Sequence, residues 1–336
     1  MYSVDVIIPS YKPDQKLRKL LELLLRQSYP IQKIIIINTE KSLLDPALIP
    51  EDTRISVTHI RKEEFDHGAS RNLGVSKSDA ALFLMMTEDA VPKDTTLVEK
   101  LVHVFETDPY KDAAPKNHPR GPIGAVYGRQ LATQESSYDE QYARQFNYPA
   151  QSFVKTQQDI ARLGIKTYFE SNVCCMYRRD IFDRLGGFID HTIFNEDMIY
   201  CGKLLQAGYA SAYEASAEVY HAHHYSGYQQ FHRNFDLGVS QADHPDIFGG
   251  LRSEGEGVKL VLGNAKDLIR HGRLLTVPNL VWKSGCKYLG FRMGRNYRKL
   301  SRRMVLRCTM NPRYWAHTDG SIELHEDGSA CRKNRR

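Results

Sequence analysis

The sequence AALFLMMTEDA, residues 80–90, runs from apolar residues straight into a pair of acids. A short run rich in Leu, Phe and Met predicts a buried strand over Ala80–Met86. In an open α/β sheet, ligands bind beyond the carboxyl ends of such strands. Glu88 and Asp89 repel each other there and resist desolvation, so a divalent cation that carries a diphosphate would satisfy them. The alternative is a solvated turn before Pro92.

Strand and helix patterns alternate upstream of this run. Val4–Pro9 is a predicted strand, and Lys33–Ile37 holds four consecutive isoleucines, which is typical of a central parallel strand. Ile55–Ile60 alternates as a third strand. Leucines at helical spacing follow a potential cap at Asp14, and Gly68–Val75 predicts a second helix. This order predicts a doubly wound α/β domain that binds a nucleotide.

Further elements are predicted downstream, with less regular patterns between them. The segment Ser136–Tyr148 is polar and rich in Tyr, and we expect it to be irregular and functional. Val219–Tyr225 is rich in histidine. The other predicted elements are a helix at Thr95–Thr107, a Pro-rich loop at Asp108–Pro122, strands at Gly124–Leu131 and Thr167–Tyr177, and helices at Asp180–Leu185 and Asn195–Ala207.

Length and composition favour one large domain with an appendage, here 1–225 and 226–336. The chain has 336 residues, of which 41% are hydrophobic and 26% charged. It begins directly with a strand pattern and holds no apolar stretch of the roughly 20 residues that span a bilayer. Its six cysteines show no C-x-x-C pair or zinc spacing. These features predict a cytoplasmic protein with reduced thiols.

The net charge of +6 is unevenly distributed, because residues 1–251 are weakly acidic and the rest strongly basic. From Leu280 to Met304, apolar residues recur every three or four positions among Lys and Arg, which predicts a basic amphipathic helix on an anionic membrane surface. The alternatives are packing on the body or on a second subunit, as in a homo-oligomer. Nucleic acid is disfavoured as the partner of this helix.

The first strand is followed by Pro9-Ser10-Tyr11-Lys12 rather than by a glycine-rich phosphate loop. Neither G-x-G-x-x-G nor a P-loop signature is present, which disfavours dinucleotide and ATP binding. A pyrophosphate must therefore be held by other means, and a metal on Asp89 is the available one.

Residues 64–72, EFDHGASRN, form a second polar constellation. Gly68 permits a tight chain reversal, Arg71 offers a planar cationic fork for a phosphate or base, and the Asn72 amide can hold a loop. Asp66 has a structural alternative, as the cap of the helix that begins near Gly68.

Two more constellations lie in the second half of the chain. Glu196 and Asp197 open a predicted helix, where the helix dipole alone would stabilise them; in the functional alternative, one is a general base. His221 and His223 would share one face of a strand, so His221 could complete a metal shell that Asp89 begins.

Four of these motifs together resemble family-2 glycosyltransferases of the GT-A fold. They are Val6–Tyr11, Phe65–Asn72, Thr87–Pro92 and Asn195–Asp197, and Phe-Asp-His-Gly followed by Arg-Asn is most similar to the rhamnosyltransferase branch. The resemblance covers about residues 3–225. It implies a Rossmann-like, mixed but mainly parallel sheet flanked by helices, with a basic helical extension at the C-terminus.

The resemblance also implies roles for individual residues. Asp89 and His221 would hold Mg²⁺ or Mn²⁺, Asp197 would be the catalytic base, and Glu196 would lie on the acceptor side. Thr87 stands where relatives have the first aspartate of D-x-D, and Asn38 where they usually have an aspartate. The residues implied to face the nucleotide-sugar are Pro9, Tyr11, Asn38, Glu40, Asp66, Arg71 and Glu88.

The implied function is an inverting, metal-dependent transfer of a sugar to a glycan in bacterial surface polysaccharide synthesis. The donor would be dTDP-rhamnose, with a UDP-hexose or UDP-N-acetylhexosamine as the alternative. A non-catalytic scaffold that binds nucleotide-sugar or glycan is a third hypothesis. The acceptor would be a lipid-linked glycan, and the basic helix would keep the enzyme at the inner face of the cell membrane.

Overall fold

The structure is a computed structural model that describes residues 1–111, 120–222, 225–251 and 254–316, with two short strands at 323–324 and 330–331. The chain divides into two compact units. The first unit comprises Met1–Asp190 and Glu196–His223, and the second His191–Asn195 and His224–Arg336.

The first unit is built on one mixed sheet, which has nine strands within the described residues. The strands are β1 Val4–Tyr11, β2 Lys33–Thr39, β3 Ile55–Ile60, β4 Leu82–Met86, β5 Val91–Pro92, β6 Ile123–Leu131, β7 Phe153–Lys155, β8 Cys174–Arg178 and β9 Ala210–Tyr220. β1 pairs in parallel with β2 and β4, and β2 pairs in parallel with β3. Strand β8 lies between β4 and β6 and is antiparallel to both, β6 pairs in parallel with β9, and the short strands β5 and β7 pair antiparallel with β9.

Helices cover both faces of this sheet. Along β2, Ile34 and Ile36 lie in one hydrophobic cluster and Ile35 and Ile37 in another, as expected of a central strand that is buried on both sides. Each such buried side chain stabilises the fold by roughly 1.5–3 kcal/mol. The helices are α1 Gln15–Leu24, α2 His67–Val75, α3 Leu97–Thr107, α4 Tyr138–Asn147, α5 Ile160–Leu163, α6 Arg179–Arg184 and α7 Glu196–Gln206.

The predictions for the early strands and helices are confirmed, with small shifts at their ends. Asp14 caps α1 as expected, because its side chain accepts a hydrogen bond from the Lys16 N–H. The predicted loop at Asp108–Pro122 lies partly outside the described residues, since 112–119 are not described.

Three predictions for the later part of this unit are wrong. Ser136–Tyr148 is mostly helix α4 rather than irregular; within α4 itself, no residue is buried. Thr167–Tyr177 is not one strand, because a 3₁₀ turn ends at Tyr168 and β8 begins only at Cys174. β9 ends at Tyr220, so His221 lies just beyond the strand. The proposed partner on its face, residue 223, lies outside the described residues.

The second unit is helical. Its elements are α8 Gly227–Asp243, α9 Pro245–Phe248, α10 Glu254–Arg270, α11 Val277–Arg295, α12 Arg302–Cys308, and the two-stranded β10 Glu323–Leu324 with β11 Ala330–Cys331. α8 and α11 pack so closely that a Cβ atom at Gly290 would lie 2.2 Å from the Phe231 carbonyl oxygen, and a Cβ atom at Gly294 would lie 2.0 Å from the Phe235 carbonyl oxygen. Glycine is therefore required at both positions.

The predicted single helix from Leu280 to Met304 is also wrong. α11 ends at Arg295, a 3₁₀ turn follows at Tyr297–Lys299, and α12 begins at Arg302. The break has a physical reason, because the Tyr297 side chain is buried and its hydroxyl donates to Asp243 Oδ1 at 2.6 Å. Within the described residues, no helix combines the length and apolar character needed to cross a bilayer.

Candidate active site

The first acid after β4 is turned toward β1. Glu88 Oε2 accepts hydrogen bonds from Ser10 Oγ at 2.6 Å and from the Tyr11 backbone N–H at 3.1 Å. Burial raises the pKa of Glu88 to about 7, although both hydrogen bonds favour the carboxylate. Glu88 thus holds the last two residues of β1, the strand end at which a nucleotide is expected.

The second acid, Asp89, faces a histidine that follows a different strand of the sheet. Asp89 Oδ1 lies 3.5 Å from His221 Nε2. Asp89 follows β4 and His221 follows β9, so two strand ends distant in sequence contribute one side chain each. The predicted pair of metal ligands is therefore brought together.

The orientation of the His221 ring is set by β6. Its Nδ1 atom lies 2.9 Å from Oε1 of Gln130, a buried residue. Because an amide oxygen only accepts, this contact makes Nδ1 the donor, and in the neutral ring the lone pair of Nε2 then faces Asp89. Arg144 of α4 lies 3.2 Å from Nδ1, but it also donates to the Gln130 oxygen, and the Gln130 contact with Nδ1 is the shorter.

These two residues suit a divalent cation that carries a diphosphate. In this tautomer two acceptors face each other, and a second-shell partner orients the histidine, as metal-binding histidines usually require. Mg²⁺ at phosphate sites commonly takes one or two carboxylates and fills its other positions with substrate phosphates and water. No group of three or more His, Cys, Asp or Glu in the described part of the chain is arranged to hold a metal by itself.

The Glu196–Asp197 pair begins α7, and the two carboxylates have different surroundings. Glu196 Oε1 lies 3.2 Å from Arg71 Nη1 and accepts from Asn172 Nδ2 at 3.1 Å. Asp197 accepts from the Asn172 backbone N–H at 3.2 Å. Burial and then the charge of Glu196 raise the pKa of Asp197 to about 7. Burial also raises the pKa of Glu196, but Arg71, His67 and the hydrogen bonds to the carboxylate together lower it below its ordinary value.

The segment Ser171–Val173 connects the two acid sites, and sequence analysis missed it. The Ser171 hydroxyl accepts from Gln130 Nε2 at 3.1 Å, on the His221 side. Asn172 contacts both Asp197 and Glu196. The Val173 carbonyl oxygen accepts a hydrogen bond at 3.4 Å from the backbone N–H of Thr87, a residue that lies two positions before Asp89. A signal was present, since Glu170-Ser171-Asn172 is a polar triplet inside the supposed strand.

Among the predicted nucleotide contacts, Tyr11 is the most accessible. Its side chain is 36% exposed at the end of β1, and the Nζ atoms of Lys12 and Lys62 lie 5.4 Å and 5.5 Å from its ring centre. Pro9 lies two residues earlier, where β1 pairs with β2 at Ile37. An exposed ring beside two cations suits a base or ribose that carries a diphosphate.

Asn38 and Glu40 are used for local contacts at the end of β2. The Asn38 side chain is buried, with Nδ2 3.1 Å from both the Glu40 carbonyl oxygen and His59 Nδ1. The Glu40 carboxylate accepts from the Lys62 backbone N–H. Their roles toward a nucleotide stay predictions.

Asp66 and Arg71 belong to the structural framework of α2. Asp66 Oδ1 accepts from the Gly68 and Ala69 N–H groups, both at 2.9 Å, so it caps the helix as its structural alternative predicted. Gly68 is needed because a Cβ there would lie 1.7 Å from the Ile189 carbonyl oxygen. Arg71 is held in the ion pair with Glu196.

A polar cleft of about 480 Å³ opens beside His221, between the end of β6 and α4. Amide and aromatic side chains line it, among them Gln130, Gln141, Tyr148 and Tyr220, together with Arg144. Amides and aromatic rings can hydrogen-bond and stack against sugars. The cleft is thus suited to a glycan.

A mixed α/β sheet with ionisable side chains gathered at its strand ends fits the glycosyltransferase class that the sequence motifs predicted. Residues 5–186 match the family model described as glycosyl transferase family 2. The chain belongs to this family, as its sequence motifs predicted.

Two curated relatives match over nearly the full length. One is the O-antigen chain rhamnosyltransferase RfbN of Salmonella typhimurium, 34% identical, with 93% of this chain and 96% of the relative covered. The other is the O-antigen chain rhamnosyltransferase WbaN of Salmonella anatum, 32% identical, with coverages of 94% and 96%. They confirm the predicted rhamnosyltransferase-like branch of the family.

A solved structure supports the fold. The mannosyltransferase PcManGT from Pyrobaculum calidifontis, in complex with GDP-Man and Mn²⁺, superposes with a TM-score of 0.58 at 15% identity. The match covers 89% of this chain and 88% of that one. The predicted GT-A fold is confirmed.

Proposed function

We propose that this protein is an inverting, metal-dependent rhamnosyltransferase that moves L-rhamnose from dTDP-rhamnose to a lipid-linked glycan in bacterial surface polysaccharide synthesis. The donor sugar is proposed from the two full-length relatives, which are named rhamnosyltransferases. The metal is proposed from the contact between Asp89 and His221. We propose that residues 1–225 carry the reaction and that residues 226–336 carry attachment.

The observation that supports this chemistry best is the shared segment Ser171–Val173. It bonds to the shell of His221 on one side and to Asp197 on the other, so donor and acceptor groups can meet across it. When bound between Asp89 and His221, the cation would act as a Lewis acid on the donor's diphosphate. Tyr11 and the cations beside its ring would bind the nucleoside diphosphate.

Asp197 would remove the proton from the acceptor hydroxyl as it attacks the anomeric carbon. A carboxylate whose pKa lies near 7 combines the ionised form with useful basicity at neutral pH. Attack from the face opposite the leaving group inverts the configuration in a single displacement. The glycan would enter through the polar cleft beside α4.

The second unit would attach the enzyme to the anionic inner face of the cell membrane. Leu275 is 95% exposed and Trp282 66% exposed, with Arg273 two residues before Leu275 and Lys283 directly after Trp282. Apolar side chains with neighbouring cations favour a lipid interface. The other large exposed apolar residues of this unit include Tyr228, Val258, Leu262, Ile269, Leu274, Val281, Tyr288 and Leu289.

The experiment is a donor panel of dTDP-rhamnose, UDP-glucose and UDP-N-acetylglucosamine, with Mg²⁺, Mn²⁺ or EDTA. Release of the nucleoside diphosphate is measured with water as a slow acceptor, and donor binding by thermal shift. We expect dTDP-rhamnose to be used best and EDTA to stop its turnover. Preference for a UDP-sugar would replace the proposed donor, and binding without any turnover would favour a scaffold.

A further inference from the structure

The Arg71–Glu196 ion pair lies inside the protein rather than in an open cleft. The two side chains are 9% and 7% exposed, and Arg71 Nη1 also donates to the His67 carbonyl oxygen at 2.7 Å. Neither group is accessible to a nucleotide or a glycan in this arrangement. A buried ion pair is costly to desolvate and adds little stability by itself. Its position next to Asp197 therefore points to a role other than stability.

Asn172 joins this pair to Asp197. Its side-chain Nδ2 donates to Glu196, its Oδ1 accepts from the Tyr177 hydroxyl at 2.8 Å, and its backbone N–H donates to Asp197 Oδ2. With partners at both ends of the amide, Asn172 is fixed in one orientation. The backbone N–H of the same residue points at Asp197.

We propose that Arg71, Glu196 and Asn172 form a buried positioning cluster, which orients Asp197 and sets the pH at which it ionises, and that they bind neither substrate. The inference rests on the proposed function, because it requires Asp197 to be the base. It replaces the expectation that Arg71 faces the nucleotide and Glu196 the acceptor.

The charges of Glu196 and Arg71 shift the pKa of Asp197 in opposite directions. Glu196 on the same helix opposes a second negative charge on Asp197, and Arg71 from α2 offsets part of that effect. The other titratable groups that act on this acid pair are His67, Tyr148 and Tyr177. Burial raises the pKa of both tyrosines, so they stay neutral near pH 7.

The test is Glu196→Gln, which keeps the acceptor for Asn172 but removes the charge. Asp197 then lies near an unopposed Arg71 and should ionise more readily. We expect the acid limb of the kcat–pH profile for donor cleavage to move down by about one unit or more, with donor Kd unchanged.

Adding Arg71→Gln removes the remaining cation, so the double variant should move the acid limb back up by a similar amount. It leaves no unpaired buried charge and remains a usable measurement if a single variant folds poorly. A profile that stays in place in both folded variants would overturn the inference.

Other outcomes also decide. A Glu196→Gln enzyme that is inactive at every pH would mean that Glu196 acts on a substrate, and a donor Kd weakened tenfold in the double variant would return Arg71 to the nucleotide. Both contradict the positioning role. Failure of the proposed function is distinguishable, because it appears as full activity in Asp197→Asn.

Discussion

The two units of the molecule differ most in how much large apolar surface they expose, although the second unit also buries charge, as at Asp236. In the first, ionisable side chains are buried and held in specific contacts, as in Arg71–Glu196 and Asp89–His221. In the second, large apolar side chains such as Leu275 and Trp282 are exposed. Burying charge costs free energy, so it is expected where chemistry needs it, whereas exposed apolar patches usually mark a binding surface.

The largest effect should come from the base. Asp197→Asn keeps the shape of the buried group but cannot accept the proton, so we expect turnover to fall by about 10²–10⁴-fold. Release of nucleoside diphosphate measures it. Asp183→Asn, in an exposed ion pair on α6, is the control and should keep full activity. A near-normal rate for Asp197→Asn would remove the base assignment.

The second unit can be tested by one substitution at two positions of α11. Gly294→Ala would place a methyl group 2.0 Å from the Phe235 carbonyl oxygen, whereas no atom lies within 4 Å of a Cβ at Gly285. We expect the first to lower the free energy of unfolding by about 2–3 kcal/mol. Gly285→Ala should instead raise it by about 0.5–1 kcal/mol. Equal effects in denaturant unfolding would contradict the close helix packing.

Burial of Glu88 should cost stability at neutral pH. Its pKa of about 7 lies above the ordinary value of 4.5, so the folded protein holds a proton that the unfolded chain releases. The corresponding stability is full below pH 4.5 and is lost as the pH rises through 7. The free energy of unfolding of Glu88→Gln, relative to that of the wild type, should therefore be about 1–2 kcal/mol higher at pH 8 than at pH 4.5. Parallel pH profiles for the two proteins would contradict this.

The smallest effect concerns the exposed surface of the second unit. The full chain should sediment with phosphatidylglycerol-containing vesicles at low salt and be released at high salt. Trp282→Ala should weaken binding several-fold by loss of buried apolar area. Leu43→Ser, at an exposed position of the first unit, is the control. Binding that ignores both salt and Trp282 would favour a protein-contacting role for this surface.

The sequence predicted most where apolar residues repeat. The isoleucines of β2 and the apolar run before Glu88 and Asp89 were sufficient for the central strands of the sheet. α4 was missed because its aromatic residues Tyr138, Tyr142 and Phe146, although at helical spacing, lie in an otherwise polar segment. The interruption between α11 and α12 was missed because it depends on the buried contact of Tyr297 with Asp243.

Within the candidate site, the sequence identified residue types more readily than their partners. Asp89 and His221 were paired in advance, although His221 was expected on a strand face with residue 223 and lies instead just beyond the end of β9. The bond of Arg71 to Glu196 and the bridging by Asn172 join segments far apart in the chain, and no local pattern encodes such distances. Arg71 and Asp66 were therefore assigned to a ligand, although their contacts in the structure are to the protein itself.

The central claim is that Asp89 and His221 hold a divalent cation for the donor's diphosphate. Its most direct test is the Kd of dTDP-rhamnose with and without Mn²⁺, by calorimetry, in the wild type and in Asp89→Asn. We expect Mn²⁺ to tighten donor binding by at least about tenfold, or roughly 1.4 kcal/mol, in the wild type and to have no effect in the variant. Equal tightening in both proteins, or in neither, would contradict the claim.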